Sequence, residues 1–268
     1  MPVPSPSKFL PAALSTLALT AIASLSGCGT TSAPDLDHAE SIAATCPTDK
    51  PVATFLSSDE SGTNRGSTSA PAQQRIVRQT AERTAVCGGS LRVSVFSGSV
   101  VTVPVFDDEL ELEGATKNAR LRRAPAKADE VMDQINEALS GAISKLSGGA
   151  TDIVGQLGLV AEFRDQLSPD RTAYEVQATI LTDGIQTAQV SLADLALTIP
   201  QAKHLAEELM VPDLAGAHVR IVGVGRKADG EQLPTTYIDA LKAFHLNVCK
   251  RTHAAQCTVV TDAAQAGA

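Results

Sequence analysis

Short apolar segments alternate with amphipathic helical segments along most of this chain. Apolar residues that alternate with polar ones predict strands, and apolar residues spaced three and four apart predict helices. Strands that alternate with helices predict an α/β fold, with a doubly wound, mostly parallel sheet and helices on both of its faces. The predicted strands are Val52–Leu56, Leu91–Val95, Val101–Val105, Tyr174–Leu181, His218–Val224 and Cys257–Val260, and the predicted helices are Ala70–Cys87, Val131–Leu146, Ile153–Leu167, Gln201–Met210 and Pro234–Cys249.

One pair of predicted strands has no helix between its members. Leu91–Val95 and Val101–Val105 are joined through Ser97-Gly98-Ser99, a pattern that predicts a β-hairpin. Pro104 cannot donate a hydrogen bond to a neighbouring strand, so the second strand is expected at an edge of the sheet. The sequence therefore predicts one antiparallel edge strand on an otherwise parallel sheet.

The first 28 residues have the pattern of an export signal. Lys8 precedes the apolar stretch Phe9–Leu25, which is too short and too small in its side chains for a membrane span. Leu25-Ser26-Gly27-Cys28 resembles the lipobox of bacterial lipoproteins. That resemblance implies cleavage before Cys28 and attachment of lipid to this cysteine. The alternatives are an uncleaved signal and a cysteine that stands there by chance.

These patterns divide the chain into four segments. Residues 1–27 are interpreted as a lipoprotein signal peptide, and residues 28–50 as a flexible tether because they are polar and lack an apolar period. Residues 51–262 form the predicted folded domain, and residues 263–268 a C-terminal tail. We expect a protein held at the extracytoplasmic face of the cell membrane through the lipid on Cys28 only.

The charge of the chain bears on its partners. With 22 basic and 30 acidic residues the net charge is −8. An acidic surface is repelled by phosphate backbones and by anionic lipid, so we expect neither a nucleic-acid partner nor direct binding of the polypeptide to a membrane.

Four cysteines follow Cys28, and an even number outside the cytoplasm favours disulfides. A zinc site is the rival interpretation, but the chain has no C-x2-C spacing and its histidines are scattered. Cys46 precedes the first strand and Cys87 ends the helix before the second, so we predict Cys46–Cys87. Cys249–Cys257 is predicted because the two residues flank one short connection.

Polar residues follow several predicted strands. Asp59, Ser61 and Thr63 come after the first strand, Thr151 precedes a helix, and Asp183 with Gly184 follows the strand that ends at Leu181. In sheets of this kind, ligands bind outside the carboxyl ends of the strands. Taken one at a time, these residues could equally form ordinary turns or cap a helix.

Taken together, these segments resemble the metal-ion-dependent adhesion site of von Willebrand factor type A domains, which have a Rossmann-like fold. Asp59-Glu60-Ser61-Gly62-Thr63 resembles the D-x-S-x-S element of that site, Gly148–Ile153 its threonine segment, and Leu181–Gly184 its later aspartate segment. Thr63 replaces the usual second serine and keeps the hydroxyl. Glu60 adds a negative charge beside the site.

The resemblance implies a metal site with defined roles. The hydroxyls of Ser61, Thr63 and Thr151 would contact a cation, while Asp59 and Asp183 would hold its waters. Oxygen ligands select Mg²⁺, or Mn²⁺ or Ca²⁺, over Zn²⁺. The cation would then accept a carboxylate from an acidic residue of another protein, which implies a binding protein and not an enzyme.

An envelope hydrolase, or a subunit of an enzyme complex using the same rim, is the alternative function. No G-x-S-x-G elbow supports a hydrolase, and His245 lies among apolar residues that favour packing. Gly223-Val224-Gly225 lacks the third glycine of a dinucleotide motif. The charged segment 107–124 is compatible with either a recognition loop or a solvated connection.

Overall fold

The computed structural model describes residues 33–98, 102–146, 149–168 and 173–262. The predicted signal peptide, Cys28 and the 263–268 tail lie outside the described residues. The strands are β1 Val52–Asp59, β2 Gly89–Phe96, β3 Thr102–Leu110, β4 Glu175–Leu181, β5 His218–Val222 and β6 Gln256–Val260. The helices are α1 Ala33–Ala43, α2 Pro71–Cys87, α3 Lys117–Leu121, α4 Ala124–Lys145, α5 Ile153–Leu167, α6 Ile199–Glu208 and α7 Thr235–Arg251.

The six strands form one sheet in the order β3-β2-β1-β4-β5-β6. Every neighbouring pair is parallel except β2 and β3, which are antiparallel. The predicted doubly wound sheet with one antiparallel edge strand is therefore confirmed. Strand β1 pairs with both β2 and β4, so the chain changes direction across the sheet at β1, where such folds open a crevice for ligands.

The two faces of the sheet have separate apolar cores. Phe55 of β1 points to the face that α5, α6 and α7 cover, where it lies 6.0 Å from the ring of Phe163. Leu56, the next residue, packs on the opposite face against residues of α2 and α4 such as Val77 and Val131. All eight residues of β1 are buried. A central strand covered on both faces explains why β1 begins with a continuous apolar run.

The N-terminal segment differs from the predicted flexible tether of residues 28–50. Helix α1 occupies Ala33–Ala43, and Ala39 packs against Leu121 and Ala124. The guanidinium group of Arg83 also donates hydrogen bonds to the carbonyl and the hydroxyl of Thr45. The folded unit therefore begins before residue 51. The apolar contacts of α1 come from Leu36, Ala39 and Ala43, two of which are small, so the sequence shows little apolar periodicity here.

Both predicted disulfides are present. Cys46 is bonded to Cys87 at the C-terminus of α2, and Cys249 of α7 is bonded to Cys257 of β6. The first bond holds the segment after α1 to the body of the domain. None of the described helices combines the length and the hydropathy that a membrane crossing requires.

The charged segment 107–124 is not a single loop. Its first residues extend β3, where Asp107 forms an ion pair with Arg92 of β2 at 2.7 Å. Its later residues form α3 and the start of α4. Much of the segment is thus built into regular structure.

Candidate metal centre

Asp59 is the last residue of β1 and lies between the ends of β2 and β4. Its side chain is fully buried. One carboxylate oxygen accepts a hydrogen bond from the Ser61 amide at 2.8 Å, and the other accepts one from the Thr182 hydroxyl at 2.7 Å. Two donors on separate segments therefore hold this carboxylate in one orientation.

Glu60 has a different role from that of Asp59. Its carboxylate accepts hydrogen bonds from the backbone amides of Gly66, at 2.6 Å, and Thr68, at 3.0 Å. The side chains of Asn64 and Ser67 both donate to the Asp59 carbonyl at 3.1 Å. Glu60 thus holds the loop between β1 and α2 against the end of the strand, and both of its oxygens are engaged there.

Asp183 follows β4, the neighbour of β1 in the sheet. One of its carboxylate oxygens accepts a hydrogen bond from the Ile185 amide at 2.9 Å, which is the arrangement of an Asx turn. Its carbonyl accepts one from Gly225 at 2.8 Å, which connects it to the loop after β5. The turn expected from the Asp183-Gly184 dipeptide is therefore present, but it uses only one of the two carboxylate oxygens.

Thr151 lies immediately before α5 and is buried. Its amide donates to the Thr187 hydroxyl at 2.7 Å, and its carbonyl accepts from the amides of Thr187 and Ala188 at 3.0 Å. These bonds join Thr151 to the loop that follows Asp183. The residue that caps α5 is Asp152, whose carboxylate accepts from the Gly155 amide at 2.8 Å. The helix-cap interpretation of Thr151 is therefore wrong.

Two buried polar atoms of this region have no hydrogen-bond partner among the described residues. They are the hydroxyl oxygen of Ser61 and the second carboxylate oxygen of Asp183. A buried polar atom without a partner is rare because desolvation is costly. The motif assigns Ser61 to the cation itself and Asp183 to its waters, and both atoms are of the hard oxygen type that Mg²⁺ prefers. The ring Nδ1 of His245 is the third such buried atom among the described residues.

Burial perturbs both carboxyl groups, and the charge of Asp183 adds to its effect on Asp59. Burial, followed by the nearby charge of Asp183, raises the pKa of Asp59 from 3.8 to about 7. Burial likewise raises the pKa of Asp183, and the Thr63 side chain and the charge of Lys227 act in the opposite direction. Without a cation, both carboxyl groups therefore resist ionisation. A cation beside them would stabilise their ionised forms and lower both pKa values.

Four of the predicted ligand residues thus lie in or directly after β1 and β4, at their carboxyl ends, and the fifth, Thr151, is bonded to the loop that follows Asp183. We call Asp59, Ser61, Thr63, Thr151 and Asp183 the hydroxyl–carboxylate cluster. Thr63 is the exposed member, whereas the other four are buried. The described residues contain no group of three or more His, Cys, Asp or Glu side chains suited to a metal. The donor set here consists instead of two carboxylates and three hydroxyls, which fits Mg²⁺, Mn²⁺ or Ca²⁺ better than Zn²⁺.

Sequence reasoning missed several residues that support the cluster. Thr182 orients Asp59, and its hydroxyl also accepts from the Gly184 amide at 3.1 Å. Gln186 accepts from the Ile153 amide at 2.7 Å and donates to Asp152 at 3.2 Å, which joins α5 to the loop after β4. The position of Thr182 next to the motif aspartate was a usable signal. No feature of the sequence indicated the supporting role of Gln186.

His245 supports the backbone of the same region. Its Nε2 lies 2.8 Å from the Gly184 carbonyl, and its ring is fully buried. Burial lowers the pKa of His245 to about 4, so the ring is neutral near pH 7. Its edge-on contact with Phe244 agrees with the packing role predicted from the sequence.

A cavity of about 270 Å³ lies beside the cluster. Thr182, which bonds Asp59, forms part of its wall together with the apolar side chains of Ile76, Leu181 and Val222. Arg65 and Arg226 also line it. The recess thus combines apolar walls with charged side chains of both signs, since Asp262 also lines it and forms an ion pair with Arg226.

No protein-family model matches the chain, and no curated protein sequence matches it. The solved structures that are similar to the chain include, at 12–14% identity, BatB of Bacteroides thetaiotaomicron, the manganese-loaded TRAP protein of Plasmodium vivax and the ArnB paralog VWA2 of Sulfolobus acidocaldarius. BatB is 14% identical over 79% of this chain and 90% of its own, with a TM-score of 0.40. TRAP is 12% identical over 73% and 64%, with a TM-score of 0.38, and VWA2 is 12% identical over 81% and 43%, with a TM-score of 0.37. The function proposed for this chain rests on its own residues.

Proposed function

We propose that this chain is a bacterial cell-envelope lipoprotein whose domain, of the von Willebrand factor type A kind, binds other proteins through a divalent cation. One observation carries the proposal: the Ser61 hydroxyl and one Asp183 oxygen are buried without partners beside the buried Asp59 carboxyl group. A cation at the cluster would satisfy both atoms and offset the repulsion between the two carboxylates.

The residues of the cluster have distinct roles in this proposal. Ser61, Thr63 and Thr151 supply neutral hydroxyl ligands, while Asp59 and Asp183 hold the waters of the cation. Neutral ligands leave the cation with much of its positive charge, so it can attract an acidic side chain of a partner. Thr182 and the Ser61 amide fix the orientation of Asp59. The exposed Thr63 lies on the side from which the partner approaches.

A binding role agrees with the chemistry around the cluster better than hydrolysis does. His245 is neutral and fully buried, and its Nε2 is engaged with the Gly184 carbonyl. It is therefore withdrawn from any substrate at the surface. A role as a subunit of an enzyme complex uses the same binding chemistry, and the identity of the captured partner distinguishes the two cases.

Partner capture tests the proposed function. The immobilised full chain is expected to retain a protein from envelope extracts in Mg²⁺ and to release it when a chelator removes the cation. The Asp183→Ala variant should retain none of it. Asp133→Asn, a change of an exposed carboxylate on α4, is the matched control and should retain the wild-type amount. Retention that persists in chelator and in Asp183→Ala would contradict the proposal.

Lipid attachment is tested separately. Cells that express the full chain with radiolabelled palmitate are expected to label the protein, and Cys28→Ala should abolish the label and release the protein from the membrane fraction. Cys46→Ala serves as a control for cysteine loss, because Cys46 is bonded to Cys87 and carries no lipid in this proposal. Equal labelling of Cys28→Ala and the wild type would exclude Cys28 as the anchor.

A further inference from the structure

The two edges of the sheet are protected very differently. On the outer edge formed by β3, Pro104 and the acidic run Asp107-Asp108-Glu109 interrupt pairing, and the ladder to β2 is irregular between Val93 and Ser94. Proline, charge and bulges are the features that keep an edge strand from pairing with another chain. The opposite edge, β6, has the sequence Gln-Cys-Thr-Val-Val, with neither proline nor charge.

The free side of β6 presents unpaired backbone groups. The Gln256 amide donates to the Ala217 carbonyl at 3.3 Å, and the Val260 carbonyl accepts from the Gly223 amide at 3.0 Å. Both residues therefore direct their backbone groups toward β5. Because these directions alternate along a parallel ladder, Cys257 and Val259 direct their amides and carbonyls away from the sheet. No described strand pairs with that side.

A positively charged groove runs beside this edge. Residues of α6, α7 and β6 line a groove of about 770 Å³, which includes the lysines Lys203, Lys242 and Lys250 and one acidic residue, Asp239. None of these three lysines forms an ion pair with a described residue. Three unpaired lysines around one groove contrast with a chain whose net charge is −8. The apolar parts of Leu246 and Val259 form part of the same lining.

We propose that the β6 edge, together with this lysine-lined groove, is a docking site for an extended acidic segment of another protein. The segment adds a seventh strand next to β6 and bonds to the outward amides and carbonyls of Cys257 and Val259. Side chains of an added strand alternate between the two faces of the sheet. Those on the α7 face meet Lys242 and Lys250, which selects carboxylates there. The site is independent of the hydroxyl–carboxylate cluster and does not require a cation.

A second copy of the chain fits this edge less well. Pairing β6 with β6 would bring two copies of the same lysine-lined groove together. Like charges that face each other across an interface oppose association. An acidic partner meets complementary charge instead.

A peptide titration tests the proposal. The purified full chain is expected to bind a short peptide in which glutamate and valine alternate, and not one in which lysine replaces glutamate. The double variant Lys242→Glu, Lys250→Glu should weaken binding of the acidic peptide by about tenfold or more. The double variant Lys50→Glu, Lys145→Glu is the control, because it changes the net charge by the same amount as the first double variant but at exposed sites outside the groove. It should bind the acidic peptide as tightly as the wild type does.

Hydrogen exchange supplies the second readout. The acidic peptide should slow exchange of the Cys257 and Val259 amides selectively. Absence of binding, or equal binding by both double variants, would overturn the proposal. Slow exchange of these amides in the monomer without peptide would show that the chain covers its own edge, and concentration-dependent dimerisation that protects them would assign the edge to a second copy. Either result would also overturn it.

Discussion

In the absence of divalent cations, replacing Asp59 by asparagine is expected to remove a component of the free energy of unfolding that falls as the pH rises from about 4 to about 7. The cause is Asp59, whose pKa is raised from 3.8 to about 7 by burial and by the nearby Asp183. Between these two pKa values the folded protein keeps a proton that the unfolded chain has released, so each increase in pH favours unfolding. This component changes by an amount on the order of 4 kcal/mol between about pH 4 and about pH 8. The buried His245, whose pKa is lowered from 6.5 to about 4, contributes a change of opposite sign, so the Asp59 component is measured as the difference between the wild type and Asp59→Asn.

Urea unfolding at a series of pH values measures this effect. Asp59→Asn removes the titrating group but keeps a polar side chain of the same size, so the variant should lack the part of the pH dependence that Asp59 contributes. At about pH 8 the cation-free variant should be more stable than the cation-free wild type. Mg²⁺ should raise the stability of the wild type in the same range and leave the variant unchanged. Parallel pH profiles for the two proteins would contradict this assignment.

Loss of the Cys46–Cys87 disulfide is expected to cost about 4 kcal/mol of stability. The bond joins residues 41 apart in sequence, and the entropy of closing a loop of that length in the unfolded chain accounts for the value. Cys46→Ala with Cys87→Ala should also loosen α1, because the bond holds the segment that follows this helix. Denaturant unfolding and limited proteolysis near Ala43 measure the two consequences.

The second disulfide provides the matched comparison. Cys249 and Cys257 are 8 residues apart, so the same reasoning gives a smaller loss of about 2 kcal/mol for their replacement by alanine. This pair should leave the proteolysis of α1 unchanged. A larger loss for Cys249–Cys257 than for Cys46–Cys87, or an α1 that stays protected without Cys46, would contradict the proposed anchoring role.

The sequence predicted the sheet because its signals act over short distances. Pro104 indicated the edge strand because proline has no amide hydrogen to donate to a neighbouring strand. The buried strands β1 and β4 are predicted from apolar runs that are followed by Asp59 and Asp183. Parallel strands end at the same rim, so two residues 124 positions apart could be placed close together from pattern alone. The pKa of Asp59, which is raised by burial and then by the charge of Asp183, agrees with that placement.

The parts that the sequence missed depend on tertiary contacts. Helix α1 has too weak an apolar period to be distinguished from a tether, and a disulfide with packing around Ala39 holds it in place. From the sequence, Glu60 is interpreted as an additional negative charge beside a metal site. In the structure, its carboxylate oxygens accept hydrogen bonds from the backbone amides of Gly66 and Thr68. Such roles depend on how a loop folds back, which residue spacing does not encode.

Calorimetric titration of the full chain with Mg²⁺ and with Mn²⁺ tests the central claim most directly. We expect one cation per chain, binding that strengthens as the pH rises through about 7 because Asp59 must lose its proton, and no binding to Asp59→Ala or Asp183→Ala. Asp133→Asn, on the exposed face of α4, should bind as the wild type does. An intact protein that gives no heat with either ion, or an Asp59→Ala variant that binds as tightly as the wild type, would contradict a cation site at the hydroxyl–carboxylate cluster.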